Sequence, residues 1–80
     1  MSAVLEKTLE LDCKNLLCPI PIIKISQAIK LVAIGGTVQM EATDPGSKHD
    51  VPAWARQTGH ELLETRQAAQ VYTYLVRRTH

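Results

Sequence analysis

Hydrophobic and polar residues alternate along two stretches of the chain and repeat with helical spacing between them. Segments 8–13 and 37–43 place apolar side chains at every second position, a pattern typical of strands with one buried face. The intervening segment has apolar residues three or four positions apart: Ile22, Ile25, Ile29 and Val32. This spacing predicts an amphipathic helix that begins at Pro19 and runs to Ala33 or Ile34, where two glycines follow.

The second half of the chain predicts one more helix. Residues 44–46 (Asp-Pro-Gly) are typical of a turn, and a helix is expected over residues 48–58. Ser47 and Asp50 have the spacing of a capping box at its start, and Gly59 follows its last residue. The narrow buried face of this helix is expected to contain Val51, Trp54, Ala55 and Thr58.

Two further strands follow, and the order of the elements defines a fold class. Residues 61–65 predict a short strand, residues 71–76 a strand rich in β-forming residues, and residues 66–70 a turn between them. The residues after the last strand are expected in solvent: Arg77, Arg78 and His80. The order β-α-β-α-β-β predicts a two-layer α/β sandwich with two helices on one face of a four-stranded mixed sheet. Because 80 residues suffice for one domain only, residues 1–80 are expected to form a single domain.

A cysteine stands directly before the first predicted helix, in the sequence Cys18-Pro19-Ile20-Pro21. The residue before a proline avoids helical geometry, so Cys18 is expected as the last extended residue or the N-cap. Unpaired N–H groups at a helix N-terminus favour a thiolate. Since the two prolines supply no N–H, only Ile20 and Ile22 remain, and a modest lowering of the Cys18 pKa is expected. The alternative is that Cys18 is a small buried hydrophobic residue.

Three other features bear on the chemistry near this cysteine. Cys13 alternates with Leu9 and Leu11 and is expected to face the core, although a disulfide with Cys18 is an alternative. Lys24 lies on the first helix, where it either adds positive potential and contacts an acidic partner or is a solvated lysine without a specific role. The cysteines and histidines lack the spacing of known ligand sets, so no metal site is expected.

Composition narrows the classes of function. The net charge is +1 and aromatic residues make up 4% of the chain, so direct binding of nucleic acid is not expected. The longest apolar run, residues 16–23, is too short and too rich in proline to cross a membrane. Residues 1–11 contain acidic residues and no apolar core segment, so no signal peptide and a cytoplasmic location are expected. Thiols stay reduced in that compartment, which favours chemical roles for cysteines over structural ones.

Four short motifs occur in order along the chain: Leu11-Asp12, Leu17-Cys18-Pro19-Ile20-Pro21, Asp44-Pro45 with Asp50-Val51-Pro52, and Gly59-His60-Glu61-Leu62. In this order and spacing the chain resembles the TusA/SirA-like sulfur carriers, small proteins built around a Cys-Pro-x-Pro motif. The resemblance covers nearly the whole chain. It implies a fold like the C-terminal domain of a bacterial translation initiation factor. It also implies that Cys18 carries sulfur as a persulfide.

The same resemblance implies partners rather than cofactors. Proteins that donate or accept sulfur are expected, such as a cysteine desulfurase, a rhodanese or other relay proteins, and the pathway (tRNA thiolation, cofactor synthesis or sulfur oxidation) stays open. Asn15 stands where a glycine is usual in the family. Ile20 stands where many members have a polar or acidic residue, which makes the surface beside the cysteine more apolar. Ile20 and Lys24 are therefore candidates for partner docking.

Two other classes of function remain compatible with the residues. A thiol redox regulator would use Cys13 and Cys18 as a switch. A small RNA- or protein-binding module would contain an inert cysteine, as an analogy of fold alone suggests. If sulfur transfer is counted as an enzymatic activity, the first hypothesis makes the protein a sulfurtransferase.

Overall fold

The computed structural model describes residues 8–80, which form a four-stranded sheet and two α-helices. In chain order the elements are β1 (Thr8–Cys13), α1 (Ile20–Ala28), β2 (Thr37–Ala42), α2 (Ser47–Thr58), β3 (Glu61–Ala68) and β4 (Val71–Arg77). A 3₁₀ turn, Ile29–Leu31, extends α1. The expectation of no signal peptide rests on residues 1–11. Most of that segment, residues 1–7, lies outside the described residues. Within residues 8–80, no helix has the length and apolar character needed to cross a membrane.

The strands form one mixed sheet in the order β1-β2-β4-β3. β1 pairs with β2 in parallel, whereas β4 pairs with both β2 and β3 in antiparallel orientation. A parallel pair needs a crossover connection, which α1 supplies. Both helices pack on the face of the sheet that carries the core. The predicted two-layer α/β sandwich is therefore confirmed.

One hydrophobic core lies between the sheet and the helices. The strand register places Leu11, Met40 and Tyr74 side by side on the covered face of the sheet. The helices and the 3₁₀ turn contribute six members of this hydrophobic cluster: Ile25, Ala28, Ile29, Val51, Trp54 and Ala55. The predicted apolar faces of the helices are thus confirmed at their centres. At their margins three of the predicted residues are only half-buried: Ile22, Val32 and Thr58.

The first helix ends earlier than its apolar pattern predicts. After Ala28 the chain changes to the 3₁₀ turn instead of continuing as α-helix to residues 33–34. The connection beyond it is held by a residue that follows β4. The Gly35 N–H donates to the Arg78 carbonyl at 2.8 Å, and the Arg78 guanidinium donates to the Val32 carbonyl at 2.8 Å. Arg78 is therefore half-buried, and the expectation that it ends in solvent is wrong.

Two boundaries in the second half also differ from the prediction. β3 continues through the predicted turn to Ala68, because it pairs with β4 up to a two-residue connection at 69–70. Most of β3 is exposed, so its side chains lack the alternation that would indicate a longer strand. At the start of α2, Gly46 is the N-cap and no side chain caps the helix. The predicted capping box of Ser47 and Asp50 is therefore wrong.

Ser47 instead joins α2 to the sheet. Its side chain is buried, and its Oγ lies 2.6 Å from the Tyr74 hydroxyl oxygen on β4. A buried hydroxyl without a partner is costly, so each residue of this pair depends on the other. The hydrogen bond fixes the first turn of α2 over β4.

We expect Tyr74→Phe to lower the free energy of unfolding in urea by about 1–3 kcal/mol, because the buried Ser47 hydroxyl loses its partner. Ser47→Ala removes the other half of the pair. The double variant should lose less stability than the sum of the two single variants, since the pair is then removed as a unit. Additive losses would show that the two hydroxyls are not coupled.

Candidate functional site

Cys18 lies in the loop that leads from β1 into α1, and it is exposed. This loop is fastened to the segment that follows β2. The Asn15 N–H donates to Thr43 Oγ1 at 2.9 Å, and Asn15 has the left-handed conformation, with a φ of 67°. Asparagine tolerates this conformation better than most residues, so it can occupy a position where glycine is usual. This hydrogen bond holds the Cys18 loop beside the segment that leads from β2 into α2.

The first turn of α1 uses its own N–H groups. The helix begins at Ile20, with Pro19 as the N-cap and Pro21 at its second position, so Pro19 is not the first helical residue as predicted. The Ile20 N–H donates to the Leu17 carbonyl at 2.9 Å. The Ile22 N–H donates to the Pro19 carbonyl at 3.1 Å. The two donors that were expected to favour a thiolate are therefore already bonded to backbone carbonyls.

Two carboxylates face Cys18. Asp50, in the first turn of α2, accepts a hydrogen bond from the thiol, with 2.8 Å between Sγ and Oδ2. Asp44 accepts the Cys18 backbone N–H at 2.9 Å through one oxygen and the Gly46 N–H at 3.2 Å through the other. Asp44 therefore joins the Cys18 loop to the start of α2, whereas Asp50 contacts the thiol itself.

These carboxylates raise the pKa of the Cys18 thiol above its ordinary value. The largest cause is the hydrogen bond to Asp50, followed by desolvation and by the negative charges of Asp50 and Asp44. All of these favour the neutral thiol over the thiolate. The expectation of a lowered pKa is therefore wrong, because the groups that act on the thiol lie 26 and 32 residues further along the chain.

Asp44 and Asp50 are the site residues that sequence reasoning missed. Their local patterns indicate a turn and a capping box, and neither pattern places them beside Cys18. The signal that could have found them is topological. The carboxyl ends of neighbouring parallel strands lie at the same edge of a sheet, so polar residues that follow one strand approach the loop that follows the other.

The surface around Cys18 is apolar on one side and grooved on another. Leu17 and Ile20 are 72% and 41% exposed, which confirms the expectation that Ile20 faces solvent. Lys24 is exposed on the next turn of α1. Between α1 and α2 a groove of about 270 Å³ opens beside Cys18, and Trp54 forms part of its wall. A partner can therefore reach the sulfur across an apolar surface.

The second cysteine, Cys13, is buried and is therefore not part of this exposed site. Cys13 is 0% exposed at the end of β1, and desolvation raises the pKa of its thiol. Its predicted position in the core is confirmed. Both Cys13 and Cys18 are free, so the alternative of a disulfide between them is not observed.

The histidines near the C-terminal end of α2 form a separate contact. His60 stacks on His80 with 4.6 Å between ring centroids, and its ring lies 5.7 Å from that of Trp54. His80 is exposed, as expected, and its Nε2–H donates to the Thr58 carbonyl at 2.7 Å. In the part of the chain that the structure describes, no group of three or more His, Cys, Asp and Glu side chains is arranged to hold a metal ion.

Comparison with known sequences gives a consistent set of relatives. The sequence model of the family described as "Sulfurtransferase TusA" matches residues 9–78. The sulfur carrier protein TusA of Allochromatium vinosum is 36% identical over 70 residues, which cover 88% of this chain and 92% of that protein. A putative sulfur carrier protein of Halobacterium salinarum is 40% identical over 80 residues, which cover 99% of each chain.

A longer relative and a solved structure extend the comparison. The putative sulfur carrier protein YrkF of Bacillus subtilis is 37% identical over 75 residues, or 94% of this chain, but the match spans only 40% of YrkF. The crystal structure of the SirA-like protein from Desulfitobacterium hafniense matches with a TM-score of 0.77, covering 90% of this chain and 99% of that one. At 22% sequence identity this likeness shows the fold, which is the same α/β architecture.

Proposed function

The chain belongs to the TusA family, and on this premise we propose that it carries sulfur as a persulfide on Cys18. Relatives matched over nearly their whole length are named sulfur carriers. The observation that supports Cys18 most directly is the contrast between the two thiols, since Cys18 is exposed and Cys13 is buried. A transferable sulfur has to be reached by a donor and then by an acceptor, which an exposed thiol permits. In this proposal residues 1–80 act as one carrier domain.

Sulfur transfer to Cys18 exchanges one S–S bond for another. The Cys18 sulfur attacks the outer sulfur of a donor persulfide, the donor's S–S bond breaks, and its electron pair leaves with the inner sulfur. The sum is Cys18–SH + R–S–SH → Cys18–S–SH + R–SH, with no net oxidation or reduction. The same exchange in reverse passes the sulfur to an acceptor thiol. One cysteine is sufficient, because the partner proteins supply the other catalytic groups.

Pro19 and Pro21 support this role by restraining the loop that carries the thiol. Proline fixes one backbone dihedral angle, and Pro21 is also buried. A restrained loop presents the Cys18 sulfur in few orientations. Less conformational entropy is then lost when a partner binds.

The exposed apolar surface beside Cys18 is the proposed docking site for partner proteins. Burying Leu17 and Ile20 in an encounter excludes water from the sulfur, and desolvated contacts contribute most of the free energy of binding. Lys24 adds an exposed positive charge on the same helix, which suits an acidic partner surface. The partners proposed are a sulfur donor, such as a cysteine desulfurase or a rhodanese, and an acceptor in a cytoplasmic sulfur relay.

Incubation with inorganic polysulfide followed by mass spectrometry tests the role of Cys18. Wild type and Cys13→Ser should gain sulfur on Cys18, whereas Cys18→Ser should remain folded and gain none. Cys13→Ser is expected to lose about 1–3 kcal/mol of stability, because it buries a hydroxyl in the core.

The same measurement separates the alternative functions. A redox switch between Cys13 and Cys18 would appear as a loss of two hydrogens, although an oxidant would first have to reach the buried Cys13. A binding module with an inert cysteine would show no change in mass. A folded Cys13→Ser protein that fails to load would contradict a carrier with one functional cysteine.

Ile20→Glu tests the docking surface. We expect this variant to accept sulfur from inorganic polysulfide at the wild-type rate and to accept it from a purified cysteine desulfurase about five- to tenfold more slowly. The matched control is Leu31→Glu, which places the same charge on an apolar residue that is 78% exposed beyond the other end of α1. The control should transfer at the wild-type rate. Wild-type transfer by Ile20→Glu would remove Ile20 from the docking site.

A further inference from the structure

The Asp50 side chain makes one hydrogen bond within residues 8–80, and its partner is the Cys18 thiol. Asp50 is half-buried in the first turn of α2. Asp44 differs, because its two oxygens accept the backbone N–H groups of Cys18 and Gly46 and so hold the loop in place. The hydrogen bond of Asp50 depends instead on the hydrogen of the thiol, which Cys18 loses when sulfur is attached.

We propose that Asp50 is a positioning residue that holds the empty Cys18 thiol and destabilises the loaded persulfide, and thereby promotes release of the sulfur. This inference rests on the proposed function and deepens it. A persulfide is a stronger acid than a thiol, so at neutral pH the sulfur arrives together with a negative charge. The exchange is Cys18–SH + R–S–S⁻ → Cys18–S–S⁻ + R–SH. One S–S bond forms, one breaks, and the hydrogen of Cys18 ends on the donor thiol.

Loading changes the interaction with Asp50 in two ways. The Cys18 Sγ is now bonded to a second sulfur and has no hydrogen to donate, so the bond across 2.8 Å is lost. The anionic outer sulfur also lies near the carboxylate of Asp50, and like charges at this range repel. Asp50 thus attracts the thiol of the empty protein and repels the outer sulfur of the loaded protein.

The charged groups that are hydrogen-bonded to Cys18 are both negative. Asp50 faces it from α2, and Asp44 faces it from the turn before α2. Lys24 is the one charged residue of α1 and lies in its second turn. On the β1 side, Lys14 is bound by the Glu41 carboxylate at 2.9 Å. The two carboxylates are therefore the charged groups in contact with the Cys18 segment.

The direction of the repulsion matters for transfer. Both carboxylates lie on the α2 side of Cys18, so the outer sulfur is favoured on the side away from α2. Asp50 therefore presents a loaded sulfur to the partner and retains an empty thiol close to α2.

The experiment measures the equilibrium ratio of loaded to empty Cys18 in a buffer of cysteine persulfide and cysteine at neutral pH, by intact-mass spectrometry. We expect Asp50→Asn to raise this ratio about fivefold at low ionic strength, because one negative charge near the outer sulfur is removed. The difference should shrink in high salt, which screens an exposed charge. Asp50→Ala removes the same charge with a different side chain and should shift the ratio in the same direction.

The matched control is Glu41→Gln, which removes a carboxylate paired with Lys14 rather than with Cys18. Its ratio should equal that of wild type. An unchanged ratio in both Asp50 variants, with wild type loading normally, would overturn the role of Asp50 and leave the carrier function intact. Failure of wild type itself to load would instead contradict the proposed function. A structural role alone would lower the stability of the Asp50 variants without a salt-dependent change in the ratio.

Discussion

The parallel pairing of β1 with β2 is the constraint on which the site depends. It places the carboxyl ends of both strands at one edge of the sheet, so the loop with Cys18 lies against the turn with Asp44. The crossover helix α1 makes this pairing possible, and α2 begins at the same edge with Asp50 in its first turn. Sheet topology thus brings together a thiol and two carboxylates that are far apart in the sequence.

At the resulting site the Cys18 sulfur is exposed, but its negatively charged thiolate form is disfavoured. The prolines and the occupied N–H groups of α1 offer little stabilisation to a thiolate, while the hydrogen bond to Asp50 stabilises the thiol. Since the thiolate is the reactive form, we expect the empty protein to react more slowly than free cysteine with small oxidants and alkylating agents. In the proposed function, a partner that changes the surroundings of Cys18 would therefore accelerate sulfur transfer. This suits a carrier whose specificity lies in protein contacts.

Local patterns in the sequence predict the features that depend on local chemistry. The order of the elements, the inward position of Cys13 and the exposed cysteine before α1 all follow from alternation, helical spacing and proline geometry. The connection after α1 could not be predicted, because it is held by bonds to Arg78 after the last strand. The direction of the Cys18 pKa shift could not be predicted for the same reason. The helix start is local, whereas Asp50 reaches the thiol only after the sheet has formed.

A titration of Cys18 tests whether Asp50 and Asp44 keep its exposed thiol protonated. The chemical shift of the Cys18 ¹³Cβ nucleus, followed by NMR from neutral to alkaline pH, reports the pKa of that one thiol. Because the hydrogen bond and both charges favour the neutral form, we expect a midpoint above the value of about 8.5 for free cysteine. A midpoint below that value would show that the N-terminus of α1, and not the two carboxylates, determines the pKa of Cys18.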